Sequence, residues 1–328
     1  MNISRRHLLG AAAGAAAGLS AFPLNAQGSK FPSKPIQIVI PTAPGGGMDI
    51  FARLFGQHLT EHYGQPTVVV SKPGANAAIA AAFVAGAVPD GHTLLLTYSA
   101  VQLNTITMPN PGYKWRDLAP ITSTVLSPVG LAVNANVPAR NMQELIAYVK
   151  GNPRTVSYGS YGVGSVAHFM GESLNAAAGI DMRHIPYKGS NPAMMDLIGG
   201  QIGVAFGDVG LFSREEQASG RVRVLGVNGE KRLPLLPNIP TFGEQGLSQL
   251  DLPAWHGLFA PAATPKAIVD DLAREMARII QTPAITTRIR EMGFEPFAVT
   301  GNAFNDYVDG AGKVLESLFK SGRVKIDS

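Results

Sequence analysis

One local pattern occurs twice in this chain and restricts its fold more than any other: a short apolar strand that runs into a glycine-rich turn and straight on into a helix. The first copy is Ile36-Gln37-Ile38-Val39-Ile40 followed by Pro41-Thr42-Ala43-Pro44-Gly45-Gly46-Gly47-Met48-Asp49. The second is Val156-Ser157-Tyr158 followed by Gly159-Ser160-Tyr161-Gly162-Val163-Gly164-Ser165. In open β/α sheets, ligands sit beyond the carboxyl ends of the strands. Bare backbone N–H groups there lie at the positive end of a helix dipole, which suits a small anion. Glycines also serve simply to make tight turns. Two such turns at equivalent places in two lobes would, however, face each other across a cleft and hold a ligand with two carboxylates, each at its own helix N-terminus.

Short apolar runs and helical patterns alternate along the chain, which predicts parallel sheets covered by helices. After the triglycine, Phe51, Phe55, Leu59 and Tyr63 recur every four residues and predict one helix, stopped by Gly64. Strands are predicted at 67–70 and 93–98, with a helix over 76–86 and a turn at Pro89-Asp90-Gly91 between them. From about 101 to 128 the pattern loosens into Pro, Asn and Gly, which reads as a surface excursion and a first crossing to a second lobe. The second lobe is expected to contain strands at 129–134, 155–158, 182–186, 202–206 and 222–227 and helices at 141–150, 166–178 and 192–198. The proline-rich stretch 234–240 is expected to return the chain to the first lobe, for a strand at 254–261 and amphipathic helices at 265–281 and 303–320.

Composition narrows the function. The chain has 328 residues, 45% of them hydrophobic and 15% charged, enough for one large core or two medium ones. Ser4-Arg5-Arg6-His7-Leu8-Leu9 reads as a twin-arginine export signature, followed by an Ala/Gly/Leu segment and a small residue, Ala26, suited to cleavage. Removing 1–26 takes the net charge from +4 to +2 and leaves no basic run interleaved with aromatics, which argues against nucleic acid as a partner. The chain contains no cysteine, so disulfides, thiolate metal sites, a cysteine nucleophile and a lipid-modified N-terminal cysteine are excluded. No later apolar run reaches the roughly 20 residues of a membrane span. A soluble periplasmic protein is expected.

Catalytic motifs are incomplete. Gly162-Val163-Gly164-Ser165-Val166-Ala167 fits G-x-G-x-x-A, but Asp181 lies before the next predicted strand rather than at its end, where a ribose needs it. His58-Leu59-Thr60-Glu61-His62 matches H-x-x-E-H, yet both histidines border the apolar face of their helix and no further ligand cluster accompanies them. No G-x-S-x-G elbow surrounds Ser160 or Ser165. No cofactor or metal is expected, and an α/β enzyme acting on a small acid is a distant alternative.

The ordered set of motifs resembles a known family. Lys34-Pro35-Ile36, Pro44-Gly45-Gly46-Gly47 with Asp49, Ala52-Arg53, Gly64-Gln65-Pro66, Pro89-Asp90-Gly91 and Glu144-Leu145-Ile146-Ala147 follow in sequence. Gly162 with Gly164-Ser165 and His168, Pro186-Tyr187-Lys188-Gly189, Gly199-Gly200-Gln201, Pro237 with Pro240-Thr241, Glu244 with Gly246, and Trp255 with Gly257 complete it. The set is similar to the solute receptors of tripartite tricarboxylate transporters, the Bug-type periplasmic binding proteins. The resemblance implies a two-lobed α/β periplasmic-binding-protein fold of type II-like form, with residues 27–127 and 228–328 in the first lobe and 128–227 in the second. It implies a monomer that closes on a small organic carboxylate (a di- or tricarboxylate, an aromatic acid or an amino acid) and delivers it to an inner-membrane permease. The same fold diverted to sensing, with a histidine-kinase-type partner, is the alternative.

Residue by residue, the resemblance puts the ligand between the triglycine loop, with Ala43, Gly46, Gly47, Met48 and Asp49, and the strand end at Tyr98 and Ser99. The opposite wall is the turn with Ser160, Gly162, Gly164, Ser165 and His168, and Lys188, Gly189 and Asp208 complete the candidate set. Asp49 either caps its helix or accepts a hydrogen bond from the ligand; His168 either supports the turn from behind or touches ligand. Three departures from the family pattern stand out. Met48 replaces a small hydroxyl residue, Ser71-Lys72-Pro73-Gly74-Ala75-Asn76 replaces Asn-Arg-Pro-Gly-Ala-Gly, and Phe206-Gly207-Asp208 replaces an adjacent Phe-Asp. They bear on the ligand's size and polarity, on packing behind the loop, and on the role of Asp208.

Overall fold

In the computed structural model, which describes residues 31–322, the first apolar run becomes β1 (Ile36–Ile40), buried except at Gln37. The triglycine leads into α1 (Gly47–Tyr63), and Gly64 ends that helix in the left-handed conformation, its N–H donating to Thr60 O. There follow β2 (Thr67–Ser71), α2 (Ala78–Ala85), β3 (Thr93–Tyr98), α3 (Ala100–Thr107) and β4 (Leu118–Leu126). The second sheet is built from β5 (Val129–Asn134), α4 (Met142–Gly151), β6 (Ser157–Ser160), α5 (Val166–Ala178), β7 (Arg183–Pro186), α6 (Ser190–Ile198), β8 (Val204–Asp208), α7 (Val209–Ser219) and β9 (Val222–Val227). The chain closes with β10 (Trp255–Pro261), α8 (Lys266–Ile280), α9 (Pro283–Glu291), β11 (Glu295–Pro296) and α10 (Gly301–Lys320).

Two mixed sheets result, ordered β11-β4-β10-β3-β1-β2 and β7-β6-β8-β5-β9. Each contains a parallel set, β2-β1-β3 in one and β7-β6-β8 in the other, as the βα alternation requires. The expectation of parallel sheets holds for those sets and is corrected at β10, antiparallel to β3 and β4, and at β5, antiparallel to β8 and β9. These strands enter their sheets directly from the other lobe, without a crossover helix to turn them round.

Four further expectations are corrected. Residues 101–128 are no surface excursion: α3 and β4 occupy most of them, and β4 is largely buried in the first sheet. The helix expected from Asn76 begins two residues later, because Ala75, Asn76 and Ala77 all adopt positive φ. Helices α7 and α9 occupy stretches where none was expected. The prolines at 234–240 do not return the chain to the first sheet. Leu233 and Leu236 pack beneath β8 and α7, Phe242, Leu247 and Leu250 pack into the second lobe's main core, and re-entry waits for β10.

The lobes are joined side by side. One crossing is only Ser127-Pro128, between β4 and β5; the other is the long return ending at Ala254. Ser127 N donates to Ala254 O at 2.9 Å, Val129 N to the Asn228 side chain at 2.7 Å, and Asn228 Nδ2 to Leu252 O at 2.9 Å. Leu315 at the far end of α10 is buried in the second lobe's core, so the last helix bridges the lobes too.

Candidate functional site

The first glycine turn is organised by Asp49. Its Oδ2 accepts from the Gly45 N–H at 3.0 Å and from Arg53 Nε at 3.0 Å, folding the loop back over the first turn of α1. The Arg53 guanidinium, then the Gly45 N–H, hold this carboxyl below its usual range, so it is ionised. No side chain caps α1, whose N-cap is Gly46. The amides that a capping side chain would otherwise occupy thus stay available to a ligand. Ala43 and Gly47 are exposed and Gly46 is half-buried, whereas Met48 points into the core of the first lobe. Ser71 Oγ ties the start of the loop to β2 by donating to Thr42 O at 2.6 Å.

The second turn is stiffened from behind. Ser165 caps α5, accepting from His168 N at 3.2 Å while its Oγ donates to Gly162 O at 2.7 Å. His168 Nδ1 accepts from Gly164 N at 3.2 Å. Ser160 Oγ lies 2.7 Å from His184 Nε2 and also bonds within the turn to Gly162. Ser160, Ser165 and His168 are all buried, and the bonds above direct them into the turn. The rings of His168 and His184 stack at 3.8 Å, and the Tyr158 ring stacks on His184 at 5.0 Å. Burial, and secondarily the His168 ring, lower the His184 pKa to about 3, so the stack is neutral at that position.

Around the predicted Tyr98 and Asp208 lie three side chains that sequence reasoning left out of the candidate set: Asn76, Asn104 and Tyr161. Tyr98 OH donates to Asn76 Oδ1 at 3.3 Å, and Asn104 Nδ2 donates to Asn76 O at 2.7 Å. Asn76 Nδ2 reaches Val163 O, in the second turn, at 3.4 Å. The signal was present in Pro73-Gly74-Ala75-Asn76, since asparagine after Pro-Gly is a residue that accepts left-handed backbone. Tyr161 is held in its neutral form by burial, by the charge of Asp208 and by Tyr98, which draws these three residues from both lobes into one neighbourhood. Burial also raises the Asp208 carboxyl, against the pull of Ser190 and Arg214. Ser99 is buried, and its N–H is spent on Trp255 O. Lys188 is exposed beside Gly189, whose φ of 108° opens α6.

Other features fall away from this centre. His58 and His62 pair with Glu61 and Glu275, each at 3.4 Å, as helix-edge contacts. An open depression of about 560 Å³ lies between α8 and the start of α10, but its Arg274 and Arg278 are engaged by Asp271 and Glu275. Among the described residues no helix is long and apolar enough to cross a membrane. The twin-arginine segment lies outside the described residues.

The chain is similar to known proteins in both sequence and fold. Residues 51–320 match the sequence profile of the tripartite tricarboxylate transporter family receptor. A protein encoded in the tcbD-tcbE intergenic region of Pseudomonas sp. strain P51 is 33% identical over 323 residues, 98% of this chain and 92% of its own. Among solved structures, the periplasmic binding protein BugD is 32% identical with a TM-score of 0.79, covering 90% of this chain and 99% of BugD. Rpa4515 of R. palustris, solved with adipate, is 29% identical with a TM-score of 0.82, over 88% of this chain and 97% of its own. MatC (Rpa3494) from Rhodopseudomonas palustris, solved with bound malate, is 27% identical with a TM-score of 0.78, over 88% and 99%.

Proposed function

Because the chain belongs to the tripartite tricarboxylate transporter family of receptors, we propose that it is an exported periplasmic receptor that closes on a small dicarboxylate and hands it to an inner-membrane permease. The observation that carries this reading is the pair of glycine turns, one per lobe, each opening a long helix. Each turn offers backbone donors to one carboxylate, and a ligand that touches both lobes stabilises the closed form by its differential contacts. Adipate and malate in two relatives set the scale of the ligand. The uncharged side chains of Tyr98, Asn76 and Tyr161, with the Asp208 carboxyl near Tyr161, suit the methylene or hydroxyl-bearing middle of such an acid better than a third carboxylate. The first sheet with its helices is one moving body, the second sheet with the 228–254 return packed on it is the other, and no bond is made or broken.

Thermal melting and calorimetric titration against adipate, malate, citrate, benzoate and aspartate test this. A cognate dicarboxylate stabilises the protein by about 2.7 kcal/mol at a hundred times its dissociation constant, and is recovered unchanged. If no acid shifts the melting curve, or if a bound acid is converted, the reading fails. In cells, changing Arg5 and Arg6 to lysine is expected to hold the precursor in the cytoplasm; undiminished periplasmic protein would put export on the general secretory route.

A further inference from the structure

The β2–α2 connection carries three consecutive non-glycine residues with positive φ: Ala75 at 46°, Asn76 at 47° and Ala77 at 80°. Side chains other than glycine resist this region because Cβ crowds the backbone, and a run of them persists only where the surroundings hold it. Here the surroundings are specific. Asn104, fully buried, grips the Asn76 carbonyl at 2.7 Å, and its Oδ1 lies 3.4 Å from Asn76 Nδ2. Tyr98 OH occupies Asn76 Oδ1 at 3.3 Å. With its oxygen taken and its nitrogen steered by Asn104, the amide has one orientation, and in it Nδ2 also reaches Val163 O across the cleft at 3.4 Å.

Nothing in the covalent chain forces this meeting. Asn76 belongs to the first sheet's connections, Val163 to the turn between β6 and α5, and the bond between them is exposed to solvent. A Cβ built on the neighbouring Gly164 would lie 3.6 Å from Thr107 Oγ1 and 3.9 Å from Asn76 Nδ2, ordinary van der Waals contact, so the two walls meet at this point. Asn76 also stands where the family resemblance leads one to expect glycine. Its amide is therefore an addition of this chain.

We propose that Asn76 is an interlobe clasp: a positioning residue whose amide holds the second glycine turn against the first lobe in the closed form and so slows release of the bound carboxylate. The proposal rests on the receptor reading given above. The clasp is uncharged, so it joins the lobes without placing a charge beside an anion. It acts through the turn's backbone, so it favours closure over any acid that fits rather than one acid over another.

Asn76→Gly tests it, because glycine keeps the left-handed backbone at no steric cost and removes only the amide. The melting temperature without ligand should not fall. Dissociation of adipate and malate should speed up by about fivefold or more with association nearly unchanged, and the ratio of the two affinities should stay the same. Tyr98→Phe, which frees the amide to rotate, should show the same effect more weakly. Since the chain has no cysteine, spin labels on Gln57→Cys and Met195→Cys report the lobe separation directly, and Asn76→Gly should lengthen it in the unliganded protein. Unchanged dissociation with unchanged label distances overturns the clasp. A loss confined to one acid overturns it too, in favour of direct ligand contact. If the wild-type protein binds no acid at all, the receptor reading has failed, and the label distances alone decide whether Asn76 joins the lobes.

Discussion

Asp49 shows how much one residue settles. A carboxylate beside an anion site looks misplaced until its partners are counted: one oxygen holds both the Gly45 N–H and the Arg53 guanidinium, each at 3.0 Å. The charge is thus compensated next door, and the carboxylate fixes the loop that leads into α1. Its second oxygen is buried without a partner, so the sequence-level alternative, a bond to a ligand hydroxyl or ammonium, keeps a free acceptor. Asp49→Ala is expected to cost about 1 kcal/mol in denaturant unfolding, the scale of a lost cap, and at least about tenfold in affinity, or 1.4 kcal/mol. Asp49→Asn retains an acceptor for the loop and is expected to melt like the wild type, since the pair with exposed Arg53 contributes little. If Asn binds acids as poorly as Ala does, the charge itself contacts the ligand; if Ala binds normally, the loop needs no pin.

At the scale of elements, legibility followed the physics of each segment. Helix α5 was readable to the residue because Ser165 caps it, Gly179 ends it in the left-handed conformation, and its apolar face has helical period. Strand β4 was not, because its central Thr122, Ser123 and Thr124 look like loop residues; they are buried, and Thr122 and Ser123 bond the carbonyls of Phe297 and Val299. Helix α7 was hidden by starting immediately after β8, where Gly207 and Gly210 read as a turn, and by a polar second half. Both glycine turns were legible in the candidate site, while Asn76 was not, since its role depends on a partner 87 residues away. The histidine stack behind the second turn carries an element-scale consequence. His184 titrates at about 3 and His256, buried in the first lobe, at about 4. In the unfolded chain both titrate near 6.5. Between those values the unfolded state binds more protons, so stability is full above about 6.5 and falls as pH drops, by up to about 1.4 kcal/mol per pH unit for each histidine. Urea midpoints should therefore decline from pH 7 to pH 5, and less steeply in His184→Gln. A flat profile would mean that the stack takes up protons without unfolding.

The proposed closure requires two bodies on a narrow pivot. Beside the Ser127-Pro128 crossing, α7 of the second lobe meets the loop between α9 and β11 of the first, and the contact is glycine on glycine. A Cβ on Gly210 would lie 2.4 Å from Met292 O and 2.9 Å from Gly293 Cα. One on Gly293, whose φ is 88°, would lie 2.4 Å from Gly210 Cα. Val209 N donates to Pro128 O at 3.5 Å and Glu295 pairs with Leu126, which ties both sides of this contact to the crossing. Backbone against backbone leaves no side chain to give way, so an added methyl must move the lobes themselves. Gly210→Ala is expected to leave each lobe folded, as judged by far-ultraviolet circular dichroism, but to hold the lobes off their closing geometry and weaken acid binding by about tenfold or more, the equivalent of 1.4 kcal/mol. Gly293→Ala adds backbone strain of about 1–3 kcal/mol and should also lower the melting temperature. Wild-type affinity in Gly210→Ala would show that the cleft closes about some other line, and would move the pivot from this glycine pair to the far end of α10.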